Sequence, residues 1–117
     1  MILEISKLAP KAVLVMVWVD QLDASTSTVF KTALSDLDDA VEDVIVDLTR
    51  VRFVDSAGLS QLLALQRRLY ATDVQLCVCG LTRTVQALFE LMQVSRLIKV
   101  YPSRSAAMTN FGIASGE

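Results

Sequence analysis

Val44-Ile45-Val46-Asp47-Leu48, then Thr49-Arg50-Val51-Arg52-Phe53-Val54, then Asp55-Ser56-Ala57-Gly58-Leu59, carry the chain from a buried strand into the start of a helix. The first run is apolar except for Asp47, as expected of a strand covered on both faces of a parallel sheet. The last sets an acidic-polar step, Asp55-Ser56, between apolar Phe53-Val54 and a leucine-rich helix. The Ser56 hydroxyl is therefore expected at a helix N-terminus, among backbone N–H groups that lack an intrahelical acceptor. A hydroxyl so placed either holds the helix start, as N-cap or first-turn residue, or carries a phosphate.

Outward from this segment the apolar periods alternate. Upstream, Ile2 to Ser6 and Val13 to Val19 read as strands joined by a turn at Ala9-Pro10-Lys11, a hairpin. From Ser25 the period becomes helical: Val29, Phe30, Ala33, Leu34, Leu37 and Val41 fall on one face, and Asp36, Asp38, Asp39 and Glu42 on the solvated one. Downstream, Leu59, Leu62, Leu63, Leu69 and Tyr70 mark the inner face of a second helix, with Gln61, Arg67 and Arg68 toward water. Gln75 to Cys79 is a strand closed by Gly80. A third helix begins near Thr82 or Thr84 and turns Val85, Leu88, Phe89 and Met92 inward. Leu97 to Tyr101 is the last strand, Pro102 and Ser103 punctuate, and Ala106 to Phe111 is a closing helix ended by Gly112. The order β-β-α-β-α-β-α-β-α predicts an α/β fold: a mostly parallel sheet with an antiparallel first strand, packed by about four helices. Residues 1–117 are expected to form one domain, with Ala114 to Glu117 as a frayed tail.

Composition narrows the function classes. With 11 Lys and Arg against 13 Asp and Glu and no concentrated basic stretch beyond Arg67-Arg68, phosphate-tracking nucleic acid binding is not expected. The longest apolar run, Ala12 to Val19, is far short of the roughly 20 residues of a membrane span, and Met1-Ile2-Leu3-Glu4 is not expected to open a signal peptide. At 53% hydrophobic but 6% aromatic, the core must be built from Leu, Val, Ile and Ala. Cys77 and Cys79 alternate on one face of a strand, where a mutual disulfide is geometrically poor. They read as buried free thiols of a reducing cytoplasm, and the absence of histidine and of a third cysteine argues against a metal site. Ser56 also lacks a histidine base, so serine catalysis is not expected, and no Gly-rich phosphate loop indicates a nucleotide cofactor. Trp18 reads as a core or sheet-face residue, and no exposed apolar patch for self-association is evident.

In an open α/β sheet, function gathers beyond the carboxyl ends of the parallel strands. Three loops should meet there, Asp20 to Ser25, Val54 to Leu59 and Gly80 to Thr84, bringing Asp23, Asp55, Ser56, Thr82 and Arg83 to one rim. Asp55 either caps its helix or helps present Ser56; Asp23 either begins an Asx turn or meets a partner. Gly58 is expected to permit close backbone approach or relief at the helix start.

Asp55-Ser56-Ala57-Gly58-Leu59, within this order of elements, resembles the Asp-Ser-[Ser/Thr/Ala]-Gly-Leu signature of the STAS domain, the fold of bacterial anti-sigma-factor antagonists. Asp20-Gln21-Leu22-Asp23 stands for the family's upstream Gly-Glu-Leu-Asp segment without its glycine, where this chain has Val19. The resemblance implies a non-enzymatic, cytoplasmic partner switch without a cofactor. Unphosphorylated, it binds an anti-sigma factor that is also a GHKL-type serine kinase and frees the sigma factor. Phosphorylation of Ser56 releases it, and a manganese- or magnesium-dependent PP2C-type phosphatase restores it. The implied docking surface comprises Asp23, Asp55, Gly58, Leu59, Ser60, Gln61, Thr82 and Arg83. The alternative is a cytosolic accessory subunit of a lipid-handling ABC transporter; a third is a scaffold protein of a stress-sensing assembly.

Overall fold

The computed structural model describes residues 3–35, 37 and 39–112. The expectations for Ile2, Asp36, Asp38, the Phe30 side chain and the tail Ala114 to Glu117 fall outside the described residues. The elements are β1 (Leu3–Ala9), β2 (Ala12–Val17), β3 (Gln21–Leu22), α1 (Ala24–Ser35), β4 (Asp43–Asp47), β5 (Phe53–Val54), α2 (Ser56–Ala71), β6 (Gln75–Cys79), α3 (Arg83–Leu91), a 3₁₀ turn (Val94–Arg96), β7 (Lys99–Tyr101) and α4 (Arg104–Asn110).

The main sheet has the order β1-β2-β4-β6-β7, antiparallel between β1 and β2 and parallel elsewhere, as the sequence predicts. Alternation sorts its side chains. Val44, Val46 and Leu48 join Val13, Val15, Val17, Leu76 and Val78 under α1, α2 and α3, through Leu34, Leu59, Leu62, Leu65, Val85 and Phe89. On the opposite face Leu14, Ile45, Cys77 and Cys79 pack beneath Ala107 and Met108 of α4. The two thiols are buried and free, and burial pushes each from an ordinary 9.0 up to about 12. An acid whose pKa rises on folding stabilises the native state fully below pH 9 and progressively less as pH climbs toward about 12, because only the unfolded chain then gives up the protons. Native protein should resist thiol labelling at pH 8, and the urea midpoint should fall between pH 9 and 12 in wild type more steeply than in Cys77→Ala/Cys79→Ala. Equal slopes would contradict the assignment.

Asp47 is the buried charged residue of this face, 4% exposed among the described residues. Its register partners are Met16 on β2 and Cys79 on β6. Asp47 accepts from the Thr49 backbone N–H at 2.9 Å and from the Thr49 hydroxyl, and its Oδ2 accepts from Arg104 Nε at 3.3 Å and Nη2 at 3.1 Å. A buried carboxylate needs such partners. The pair pins the first residue of α4 to the sheet edge from which the β4–α2 segment departs. Because the Arg104 side chain is 45% exposed, water replaces part of the loss, and Arg104→Ala is expected to cost about 1–2 kcal/mol by urea unfolding, less than for a fully buried pair.

Several expectations are corrected. Helix α1 stops at Ser35 rather than continuing to Val41; Val41 is buried from a connecting segment instead. Val29 is exposed, since it lies about 140° around the helix from buried Leu34. Tyr70, 68% exposed, sits about 100° from Leu69, which defines the inner face of α2. Met92 falls beyond the end of α3, and Leu97 precedes β7 after a 3₁₀ turn; both are exposed. Trp18 follows β2 and lies outside the core: its Nε1 donates to Glu4 Oε1 at 3.1 Å, and the Arg50 guanidinium covers its ring at 5.0 Å. Exposed apolar surface is thus present, at Phe53, Leu91, Met92 and Leu97 among others.

Candidate functional site

Two short strands absent from the sequence expectation assemble the rim. β3 and β5 pair in parallel, Gln21 with Phe53 and Leu22 with Val54, as a separate two-stranded sheet. The Arg52 and Phe53 N–H groups donate to the Asp20 carbonyl at 2.7 and 3.1 Å, and the Asp55 N–H to Leu22 O at 3.2 Å. The first two loops are therefore joined by backbone hydrogen bonds, whichever side chains they bear. The third is attached by a side chain: the Thr82 hydroxyl donates to Val51 O at 3.1 Å and accepts from Val85 N–H at 3.4 Å, making Thr82 the N-cap of α3.

Asp55 is the N-cap of α2, in extended backbone, and its Oδ1 accepts from the Gly58 N–H at 2.7 Å. Ser56 is thus the first helical residue and is exposed. The cap is supplied by Asp55, which leaves Ser56 as an exposed residue at the positive end of α2. Asp23 performs the same service for α1: its Oδ1 accepts from Ser25 N–H at 3.0 Å, the Ser25 hydroxyl at 2.8 Å and Thr26 N–H at 3.1 Å, while its own N–H donates to Thr26 Oγ1 at 2.8 Å. The Ser25 hydroxyl first, then the Thr26 N–H, hold this carboxyl below its ordinary 3.8. Both carboxylates of the rim are therefore helix caps.

Gly58 is buried where α2 crosses β3. A Cβ placed there would lie 2.2 Å from Leu22 O and 2.7 Å from Leu22 C, closer than nonbonded atoms approach. Of the implied docking residues, Ser60, Gln61 and Arg83 are exposed, Asp23, Asp55 and Thr82 half-buried, whereas Leu59 is 4% exposed and packs in the main core. Leu59 and Gly58 thus serve packing and offer no side-chain surface to a partner. Three residues not singled out as docking contacts border Ser56 instead. Phe53, Thr84 and Leu88, with Val54, Asp55, Ser56 and Val85, line an open cavity of about 340 Å³. An aromatic residue three positions before Ser56 is the sequence signal available for Phe53; for Leu88 none distinguishes the cavity wall from the core.

Among the described residues no helix is long and apolar enough to cross a membrane, and no group of three or more His, Cys, Asp or Glu is arranged to hold a metal ion. The arrangement places the exposed residue Ser56 at the start of α2, on a rim whose loops are tied together by backbone hydrogen bonds and the Thr82 hydroxyl.

Solved structures share this fold at low sequence identity. The anti-sigma factor antagonist SpoIIAA in its unphosphorylated form is 19% identical, with a TM-score of 0.74 over 97% of this chain and 99% of that one. An anti-sigma factor antagonist from Mycobacterium paratuberculosis is 20% identical, with a TM-score of 0.78 over 92% and 91%. The murine anion transporter Slc26a9 is 23% identical, with a TM-score of 0.72 over 87% of this chain but 18% of the transporter. The STAS domain model matches residues 4–107, from the second residue of β1 through β7, with the Ser56 loop and the first four residues of α4, and the chain belongs to the STAS domain family.

Proposed function

We propose that this protein is an anti-sigma-factor antagonist that works by partner switching. Unphosphorylated, it docks on an anti-sigma factor through the Ser56 rim and frees the sigma factor; phosphorylation of Ser56 by that partner, an ATP-dependent GHKL-type serine kinase, releases it, and a PP2C-type phosphatase returns it to the binding form. The domain is the substrate of this cycle and not its enzyme. The observation that carries the proposal is the exposed residue Ser56 at the first position of α2, with the cap supplied by Asp55. A serine needed to start the helix would not be free for a kinase; here the two tasks fall to adjacent residues. The antagonists named above share the fold over nearly their whole length.

Affinity capture from lysate of the source cells, with wild-type and Ser56→Asp protein as baits, tests this. A GHKL-type kinase retained by wild type and lost from Ser56→Asp is the expected result. Transporter components retained equally by both would replace the proposal with the accessory-subunit role.

A further inference from the structure

Helices α1 and α2 lie side by side, and neither contains an Asp or a Glu: their charged residues are Lys31, Arg67 and Arg68. On a chain of formal net charge −2, these two helices are a positive surface.

Two of the three cations meet. Lys31 of α1 and Arg68 of α2, both exposed, line a cleft of about 160 Å³ together with Gln61, Ala64 and Leu65. The four residues from α2 recur at i, i+3, i+4 and i+7, so they form the flank of that helix turned toward α1. Exposed Ala64 is small and leaves the hollow, and Leu65, 3% exposed, closes its floor. Among the described residues no carboxylate lines the cleft, and neither cation forms an ion pair. No residue three or four positions from Lys31 or Arg68 on its own helix is acidic. Asp39 shares the lining of a separate cavity with Arg68, at the C-terminal ends of the two helices, but no ion pair joins them.

From a concave lining with two cations and no acid, we infer that the α1–α2 cleft receives a Glu or Asp side chain of the partner protein. The inference rests on the partner-switch function above and deepens it by fixing the charge of what docks and a second point of contact. Size selects a side chain: the cleft is smaller than the ~300–1,000 Å³ of small-molecule sites, and Lys31, Arg68 and the Gln61 amide offer donors that suit a carboxylate. The cleft is also continuous with the rim. Ala57, Gln61, Ala64 and Arg68, all exposed, recur at i, i+4, i+7 and i+11 and lead along α2 from the residue after Ser56. Gln61 lies about 7.5 Å along the helix axis from Ser56, within the ~8 Å screening length of physiological salt. A phosphate on Ser56 therefore weakens the attraction of the cleft for a carboxylate, in the direction release requires.

The test is calorimetric titration of the full chain with its purified partner, the protein that wild type retains and Ser56→Asp loses. Lys31→Glu and Arg68→Glu should each weaken binding about tenfold, and Arg67→Glu, the same charge change one residue outside the lining, by less than about threefold. All three positions are exposed, so the variants should fold. Photocrosslinking in the source cells from p-benzoylphenylalanine at Gln61 or Ala64 reads the contact without altering charge. It should capture the same partner through a segment containing Asp or Glu, and replacing that acid by Lys should restore binding to Arg68→Glu. Equal effects of the three reversals, no effect of Lys31→Glu and Arg68→Glu, no capture from Gln61 and Ala64, or capture of a second copy of this chain overturns the cleft assignment and leaves the partner switch standing. The absence of any protein that distinguishes wild type from Ser56→Asp overturns both.

Discussion

Ser56→Ala is expected to fold as wild type, to bind the anti-sigma partner and to stay bound when ATP is added, while wild type is phosphorylated and released. The structure makes the folding half of this result sharper than sequence reasoning does. Ser56 at an N-cap would contribute about 1 kcal/mol. The cap is Asp55, at 2.7 Å from the Gly58 N–H, and Ser56 is an exposed first-turn residue. Replacement by alanine, the better helix former, should therefore change stability by no more than about 0.5 kcal/mol. The binding half follows from electrostatics. Phosphorylation adds about −1.5 to −2 charges, and the dipole of α2 returns only about 0.3–1 kcal/mol at an exposed helix end. A partner group of like charge at 4 Å loses up to about 4 kcal/mol at an effective dielectric near 20; even half of that weakens binding about thirtyfold. Calorimetric titration of the purified partner against unmodified and phosphorylated protein reads this directly. Ser56→Asp should lie between the two, since one carboxylate carries less charge and fewer oxygens than a phosphate. Release of Ser56→Ala by ATP would place the acceptor elsewhere.

Gly58→Ala is expected to destabilise the protein by at least about 3 kcal/mol, against the sign that helix propensity gives. Within a free helix this substitution gains about 1 kcal/mol. Here the new Cβ would stand 2.2 Å from Leu22 O and 2.7 Å from Leu22 C, both backbone atoms, so no side-chain rotation relieves the overlap. Either α2 lifts from the sheet or β3 moves. The second course breaks the Asp55 N–H bond to Leu22 O and the pairing of Leu22 with Val54, and with them the loop that presents Ser56. A urea midpoint within experimental error of wild type would refute the close approach. A folded Gly58→Ala protein should also be phosphorylated more slowly than wild type, because the rim is displaced although every chemical group remains.

The main sheet was legible because its strands alternate and its helices repeat within short windows. Gln75 to Cys79 has the same bounds in sequence and structure, and Val44 to Leu48 differs by one residue at each end. Local period fails where an element ends without a local reason. Leu37 and Val41 continue the helical spacing of α1, yet the chain leaves the helix at Ser35 and buries Val41 from a connecting segment. It also fails for outward positions one step from the inner face, such as Tyr70 beside Leu69.

The sequence by itself determined that Ser56 stands at a helix start beside an acid, and that three loops gather at the carboxyl edge of a parallel sheet. Only the tertiary structure decided how the work is divided there. Asp55 and not Ser56 caps α2, β3 and β5 clasp two loops through bonds between residues about thirty positions apart, and Arg104 reaches Asp47 across a sequence separation of 57. Capping, pairing and burial of a charge are settled by which donor and acceptor meet in space, and two-residue strands leave no period behind. Gly58 carries the same lesson in one atom: its sequence permits a side chain, and the carbonyl of Leu22 excludes it.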